Sequence, residues 1–212
     1  MTTLFDTLLG TLNPSYPDYQ SFEKACSACE KCSLRDEPQV SKVVISAGSP
    51  TAKLMFVGEA PGLNEDKDGE PFTGRSDQLL RQVISRMGLG MDSVYLCNVV
   101  KCRPSNNRDP EPHEVEACTP WLEEQIAQVK PEVIVTLGRF STVHLLSLSN
   151  EGQPRKFTMT RARGQTFIVN GIKVIPTWHP AYILRNPAAK TEFWSDLCKV
   201  CNELGIVPLN QK

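Results

Sequence analysis

Leu54-Met55-Phe56-Val57 runs directly into Gly58-Glu59-Ala60-Pro61-Gly62, an apolar stretch that breaks into glycines around a single carboxylate. The apolar run reads as a buried strand, and the glycines let the chain turn sharply and let a ligand approach the backbone N–H groups. In open α/β sheets that position, the carboxyl end of a strand, is where ligands bind. Outward from it the pattern alternates. A strand over 53–57 precedes a helix near 76–87, with Leu79, Leu80, Val83, Ile84 and Met87 on one face and Gly88 as a stop. A second strand covers 94–100, and a loop rich in Pro, Asn and Arg spans 103–112. A helix over 113–129 follows, then the very apolar strand 132–137, buried on both faces. A further helix occupies 139–147. Residues 165–169 and 172–176 flank Asn170-Gly171, a strong hairpin signal, and a last helix covers 189–204 with Phe193, Trp194 and Leu197. Strands alternating with helices predict a three-layer α/β/α sandwich on a mostly parallel sheet.

Composition is consistent with this. The chain has 212 residues, 40% hydrophobic and 22% charged, and its net charge of -1 announces no nucleic-acid partner by itself. Local basic clusters, Lys101, Arg103 and Arg108 in one and Arg155, Lys156, Arg161 and Arg163 in another, offer phosphate contacts or solvated surface. Residues 1–24, with Pro14 and Pro17, read as an N-terminal extension, residues 25–205 as a single domain and 206–212 as a tail; Ser149 to Thr158 reads as a surface loop. The first ten residues lack the basic start and cleavage site of a secretory signal, and no apolar run is long enough to cross a membrane, so a cytoplasmic location is expected.

Eight cysteines in a cytosolic chain argue for metal or cluster ligation over disulfides. Cys29 and Cys32 form a C-x-x-C, and Cys102 and Cys118 flank the Pro/Asn/Arg loop. These four can close a four-thiolate site for zinc or for a four-iron cluster, and spacing does not choose between the two. Cys26 permits the alternative register Cys26/Cys29. Cys97 reads as a core residue, and Cys198 with Cys201 as helix packing.

The order of motifs resembles a known family. C-x-x-C-x-L, Gly58-Glu59-Ala60-Pro61-Gly62, Glu65-Asp66, Pro71-Phe72-Thr73-Gly74, Asn98-Val99-Val100-Lys101-Cys102-Arg103-Pro104, Cys118 and His179-Pro180-Ala181-Tyr182 look like the iron–sulfur uracil-DNA glycosylases of family 4, from about Cys29 to Pro187. The resemblance implies the glycosylase α/β/α fold, the ligand set Cys29, Cys32, Cys102 and Cys118, and one structural 4Fe-4S cluster. It implies a DNA repair enzyme that flips uracil out and hydrolyses its N-glycosidic bond, leaving an abasic site. The alternative is a non-catalytic DNA-binding module that keeps the cluster as scaffold.

Under this resemblance Glu59, Asn98 and His179 carry catalysis, and Gly58, Ala60, Pro61, Glu65 and Phe72 complete the uracil pocket. Asn98 donates to uracil O4 and accepts from N3–H, a pair that cytosine reverses. Phe72 stacks on the base, Glu65 walls off a 5-methyl group, and His179 supports the charge developing on O2. Glu59 favours a cationic sugar or positions water, although the water-activating aspartate of the best-known uracil glycosylases falls at Ala60 here. Lys101, Arg103, Arg163, Tyr182, Leu184 and Arg185 are expected to meet DNA, the last three from a loop that presses into it. The segment from Arg103 to Pro112 carries no histidine, which argues for ordinary turnover over covalent trapping. The expected partner is uracil-containing DNA, single- or double-stranded, bound by a monomer in a bacterial or archaeal cytosol.

Overall fold

The computed structural model describes residues 13–148 and 158–209. The expected loop Ser149 to Thr158, with Arg155 and Lys156, lies outside the described residues except for Thr158, as do residues 1–12 of the extension and 210–212 of the tail. In chain order the elements are α1 Tyr19–Ser27, β1 Ala47–Gly48, β2 Leu54–Gly58, α2 Leu63–Asp68, α3 Arg75–Arg86 and β3 Val94–Asn98. They continue with α4 Pro112–Val129, β4 Val133–Leu137, α5 Arg139–Ser147, α6 Met159–Ala162, β5 Phe167–Val169, β6 Ile172–Thr177, α7 Pro180–Arg185 and α8 Lys190–Glu203.

The six strands form one sheet in the order β1-β3-β2-β4-β6-β5. The four central strands are parallel, and the edges β1 and β5 run antiparallel to their neighbours. The chain leaves β2 for β3 on one side and returns through α4 to β4 on the other. The switch point of an open sheet, where a crevice forms beyond the strand ends, therefore falls at the end of β2.

Period-2 alternation divides β2 between two cores. Met55 and Val57 pack with Leu122 and Ile126 of α4 and Leu145 of α5, whereas Leu54 and Phe56 pack with Leu80 and Ile84 of α3 and Leu197 of α8. Each such buried side chain stabilises the fold by about 1.5–3 kcal/mol relative to exposure. Helices thus cover both faces, and the three-layer expectation holds. Helix α3 stops where Gly88 takes a φ of 83°, and Asn170 and Gly171, both at positive φ, turn β5 into β6.

The end of the second strand departs from the sequence reading in a way that affects the site. The second strand ends at Asn98 rather than at residue 100: the Val99 N–H still bonds the Gly58 carbonyl at 3.0 Å, but the next N–H, that of Val100, bonds the Glu59 carbonyl at 3.1 Å, so the alternation of a strand stops there. In the N-terminal region, α1 crosses position 24. Tyr16 and Phe22 lie against Trp121 of α4 at ring separations of 6.1 Å, and Phe22 is fully buried.

Candidate active site

Parallel register sets the floor of the pocket. Gly58, the last residue of β2, is paired with Asn98, the last of β3. A methyl group on Gly58 would sit 2.3 Å from Asn98 Oδ1 and 3.0 Å from Phe72 Cζ, so only glycine lets the three meet. Asn98 is 4% exposed, yet its side chain makes no hydrogen bond among the described residues. Its amide atoms are not sealed from solvent, so they stay available to a ligand that enters the pocket. Phe72 holds a φ of 62°, unusual for an aromatic residue and of a kind that costs on the order of 1–3 kcal/mol. Its carbonyl accepts from Arg81 Nε at 3.3 Å, which helps to fix the turn. Beside it, Thr73 Oγ1 is buried with no partner.

His179 comes from the far side of the switch point. It caps α7, and its Nδ1 accepts from the Ala181 N–H at 3.1 Å. An accepting Nδ1 is unprotonated, so the neutral ring carries its hydrogen on Nε2 and presents a donor there. Burial, assisted by the Arg185 cation, pushes the His179 pKa down to about 4, against a smaller pull from Glu65. The ring is therefore neutral at physiological pH. Gly138, at a φ of 88°, makes room for it: a methyl there would come within 3.1 Å of His179 Cβ. Behind the histidine loop, Thr177 donates to Asp196 at 2.8 Å, and Arg163 holds the same carboxylate through Nε and Nη2.

Two carboxylates frame the pocket differently. Glu59 is half-buried, and its side chain has no hydrogen-bond partner among the described residues; burial, and then the negative Asp109, raise its pKa to about 7. Glu65 of α2 is buried and turns back to accept from the Gly74 N–H at 2.8 Å. Burial alone would raise its pKa, but hydrogen bonds from Asp77 and from the Gly74 and Thr73 backbone outweigh that and lower it. Pro61 is buried and Ala60 half-buried, its methyl packed on the α4 side of the sheet.

Cys29, Cys32, Cys102 and Cys118 line one enclosed cavity, together with the cations Lys31, Arg35 and Lys101. Cys26 is not part of that lining and lies fully buried on the core face of α1. Trp121 Nε1 donates to Cys29 Sγ at 3.1 Å, the kind of bond that tunes a thiolate ligand. Burial, then the neighbouring thiols, raise Cys102 to about 12, and burial raises Cys118 to about 11. Such thiols are inert unless a metal deprotonates them. Among the described residues, no three of these sulfurs lie within 4.8 Å of one another.

The sequence profile of the uracil DNA glycosylase superfamily matches residues 45–198, the span that builds the sheet and the pocket. The chain belongs to this superfamily. It is 44% identical to the type-4 uracil-DNA glycosylase of Sulfurisphaera tokodaii over 85% of the chain and 82% of that relative. Identity to the type-4 uracil-DNA glycosylase of Thermotoga maritima is 43%, over 77% of the chain and 80% of the relative. The corresponding protein of Archaeoglobus fulgidus is 40% identical over 82% and 86%.

In this superfamily member the expected DNA contacts divide. Tyr182 stacks on Trp178 with ring centroids 4.6 Å apart, Leu184 is 48% exposed and Arg185 is exposed, while Ile183 is fully buried and anchors α7. Arg103 stays accessible, and among the described residues its side chain bonds Asn107. Lys101 and Arg163 require correction. Lys101 is 2% exposed, and its ammonium donates to the Asn98 carbonyl and to Gln125 Oε1, so it cannot reach a phosphate. Arg163 is committed to Asp196 and the Glu192 carbonyl and supports the histidine loop from behind. Sequence reading missed Trp178 and Asp77. The pattern Gly74-x-x-Asp77 ahead of an apolar helix was a legible cap signal, whereas nothing in the sequence separates Lys101 from a surface lysine.

Proposed function

We propose that the chain removes uracil from DNA by flipping it into the pocket of Gly58, Phe72, Asn98 and His179 and hydrolysing the N-glycosidic bond. The reading rests on one observation above others: an Asn98 amide at the pocket floor, with no hydrogen-bond partner among the described residues, held against a glycine and an aromatic ring. Uracil O4 and N3–H supply the partners that amide lacks, and cytosine offers them reversed. The mismatch costs on the order of 1–3 kcal/mol for each stranded group. Phe72 provides the stacking face. The Nε2–H of His179 donates to O2 as negative charge develops there, an oxyanion-type role that a neutral imidazole can fill. Glu59, in its ionised form, favours the cationic sugar or orients the water that attacks it. Ala60 and Pro61 complete the wall, and Glu65 closes the side where a 5-methyl group would enter.

Duplex DNA must give up the base before this pocket can act, and exposed Leu184 suits a wedge that fills the gap, with Arg185 and Arg103 on phosphates and Tyr182 beside the strand. Cys29, Cys32, Cys102 and Cys118 would hold a 4Fe-4S cluster, a reading supported by their convergence on one cavity and by the resemblance of the motifs. When bound, the cluster supplies structural cross-linking of residues 29–32 to the Cys102 loop and α4. Residues 25–205 act as one glycosylase domain, as a monomer on single- or double-stranded substrate, in the cytoplasm.

Single-turnover excision on a uracil-containing oligonucleotide, with thymine and cytosine controls, tests this reading. Uracil-only cleavage that is strongly slowed in Asn98→Ala and His179→Ala supports it. Absence of cleavage by cluster-loaded wild-type protein refutes it.

A further inference from the structure

One N–H group in the pocket wall serves two carboxyl groups. Gly74 N donates to Glu65 Oε1 at 2.8 Å and to Asp77 Oδ2 at 2.8 Å. Glu65 is 7% exposed and Asp77 5%, so neither charge is well hydrated. Two oxygens each 2.8 Å from one nitrogen lie close together, and two carboxylates are acceptors only, so a direct bond between these groups requires a proton on one of them. Like-charged carboxyls forced this close do not both ionise; one keeps its proton.

The setting gives that proton a task. Gly74 and Asp77 sit at the start of α3, immediately after the strained Phe72 and the unpartnered Thr73 hydroxyl. Glu65 comes from α2, after the Gly58–Gly62 loop, and a methyl on Gly62 would meet Glu65 Oε2 at 2.6 Å. The carboxyl pair therefore pins the Phe72–Gly74 turn to the loop that follows β2. Arg81 also steadies the turn, donating to the Phe72 carbonyl and pairing with Glu70.

We propose that Asp77 is a positioning residue for the uracil pocket: its carboxyl group carries a proton shared with Glu65, and this bond holds the Phe72 turn closed against Gly58 and Asn98. The inference rests on the glycosylase reading above and deepens it by naming what keeps the stacking ring in place. The direction of the Asp77 shift agrees: burial first, then the Glu65 bond and charge, raise its pKa to about 7. Few other charges face the pair. Ser76 offers a hydroxyl to Asp77 from the same helix, and Glu65 lies within electrostatic reach of His179, which has Arg185 beside it. His179 is already neutral above about 4, so it does not titrate alongside the pair. Glu59 does titrate near 7, but at a separate position that every Asp77 variant retains.

The test compares wild type, Asp77→Asn and Asp77→Ala in single-turnover excision of uracil from an oligonucleotide, reading the half-saturation constant between pH 6 and pH 9. Asn keeps a permanent donor to Glu65 and cannot lose it. In wild type the constant is expected to rise roughly tenfold from pH 6 to pH 9, as loss of the proton turns the bond into repulsion worth about one pK unit or more. In Asp77→Asn that ratio is expected to fall below about twofold, and Asp77→Ala is expected to be weakened at both pH values with no rise. The Glu59 contribution is common to all three and cancels in the comparison. A wild-type ratio that Asp77→Asn leaves unchanged overturns the proposal, as does an Asp77→Asn protein weakened at pH 6 as much as Asp77→Ala. Carbon-13 NMR of the Asp77 carboxyl gives a readout independent of excision: a midpoint near 4 in the folded protein would also overturn it. Wild-type cleavage at pH 6 reports on the glycosylase reading separately, so the two fail distinguishably.

Discussion

Replacing Gly58 by alanine puts a methyl carbon 2.3 Å from Asn98 Oδ1 and 3.0 Å from the Phe72 ring. Normal contact needs roughly 3.5 Å, so the Asn98 overlap is about 1 Å and something must move. The strands cannot separate, because Gly58 and Asn98 are paired in a parallel ladder that continues through Val57 and Cys97, and the Asn98 carbonyl is held by Lys101. The Phe72 ring can tilt, but the Asn98 amide must rotate out of its place. Overpacking of this kind costs the fold about 1–3 kcal/mol. The larger effect falls on chemistry. Two hydrogen bonds to uracil are lost at on the order of 1–3 kcal/mol each, together about 2–6 kcal/mol, or a rate reduced by roughly 30-fold to 10⁴-fold at 1.36 kcal/mol per decade. The assay is single-turnover excision beside a thermal melt and a visible spectrum, which separate a damaged pocket from a damaged fold or cluster. Gly58→Ala protein that excises uracil within about threefold of wild type would refute the argument that this close approach places Asn98 in the pocket.

Asp109→Asn removes the second cause of the raised Glu59 pKa, so the rising limb of the excision rate, expected near pH 7, shifts to lower pH; an unmoved midpoint counts against ionised Glu59 as the working form. His144 and His179 are both held neutral down to about 4, mainly by burial, against an unfolded value near 6.5. Their folded pKa values are depressed, so stability is complete above pH 6.5 and falls as pH drops towards 4. Denaturant melts of His144→Gln, compared with wild type across that window, should show a shallower loss. Leu184→Gly should slow excision from duplex DNA by about tenfold or more while leaving single-stranded substrate nearly unaffected, because only a duplex leaves a gap to fill. Equal losses on both substrates would place Leu184 outside the wedge.

Most of the scaffold was legible because its signals are local. The β2 run, the buried β4 and the Asn170-Gly171 hairpin follow from period and turn chemistry, and helix limits fell within a residue or two. Asn98 and Gly58 were legible as strand ends, but their contact depends on parallel register, which only the folded sheet sets. Lys101 and Arg163 were misread because a basic residue near a site looks the same whether it faces water or a buried carbonyl; burial decides, and burial is a tertiary property. The short helices α2, α6 and α7 lacked a full period of apolar residues to announce them, and the aromatic packing of Tyr16 and Phe22 on Trp121 joins residues about a hundred positions apart.

Lys101 has a consequence of its own. Its stem lines the cysteine cavity, while its ammonium grips the backbone of the residue that would read the base. The part of the molecule that would hold the cluster and the part that would recognise uracil therefore share one side chain as a common wall. Neither can be redesigned alone: resizing the cavity shifts the reader, and re-aiming the reader disturbs the cavity. A lineage that abandoned the metal would have to rebuild this wall in the same step, or accept a looser grip on its base.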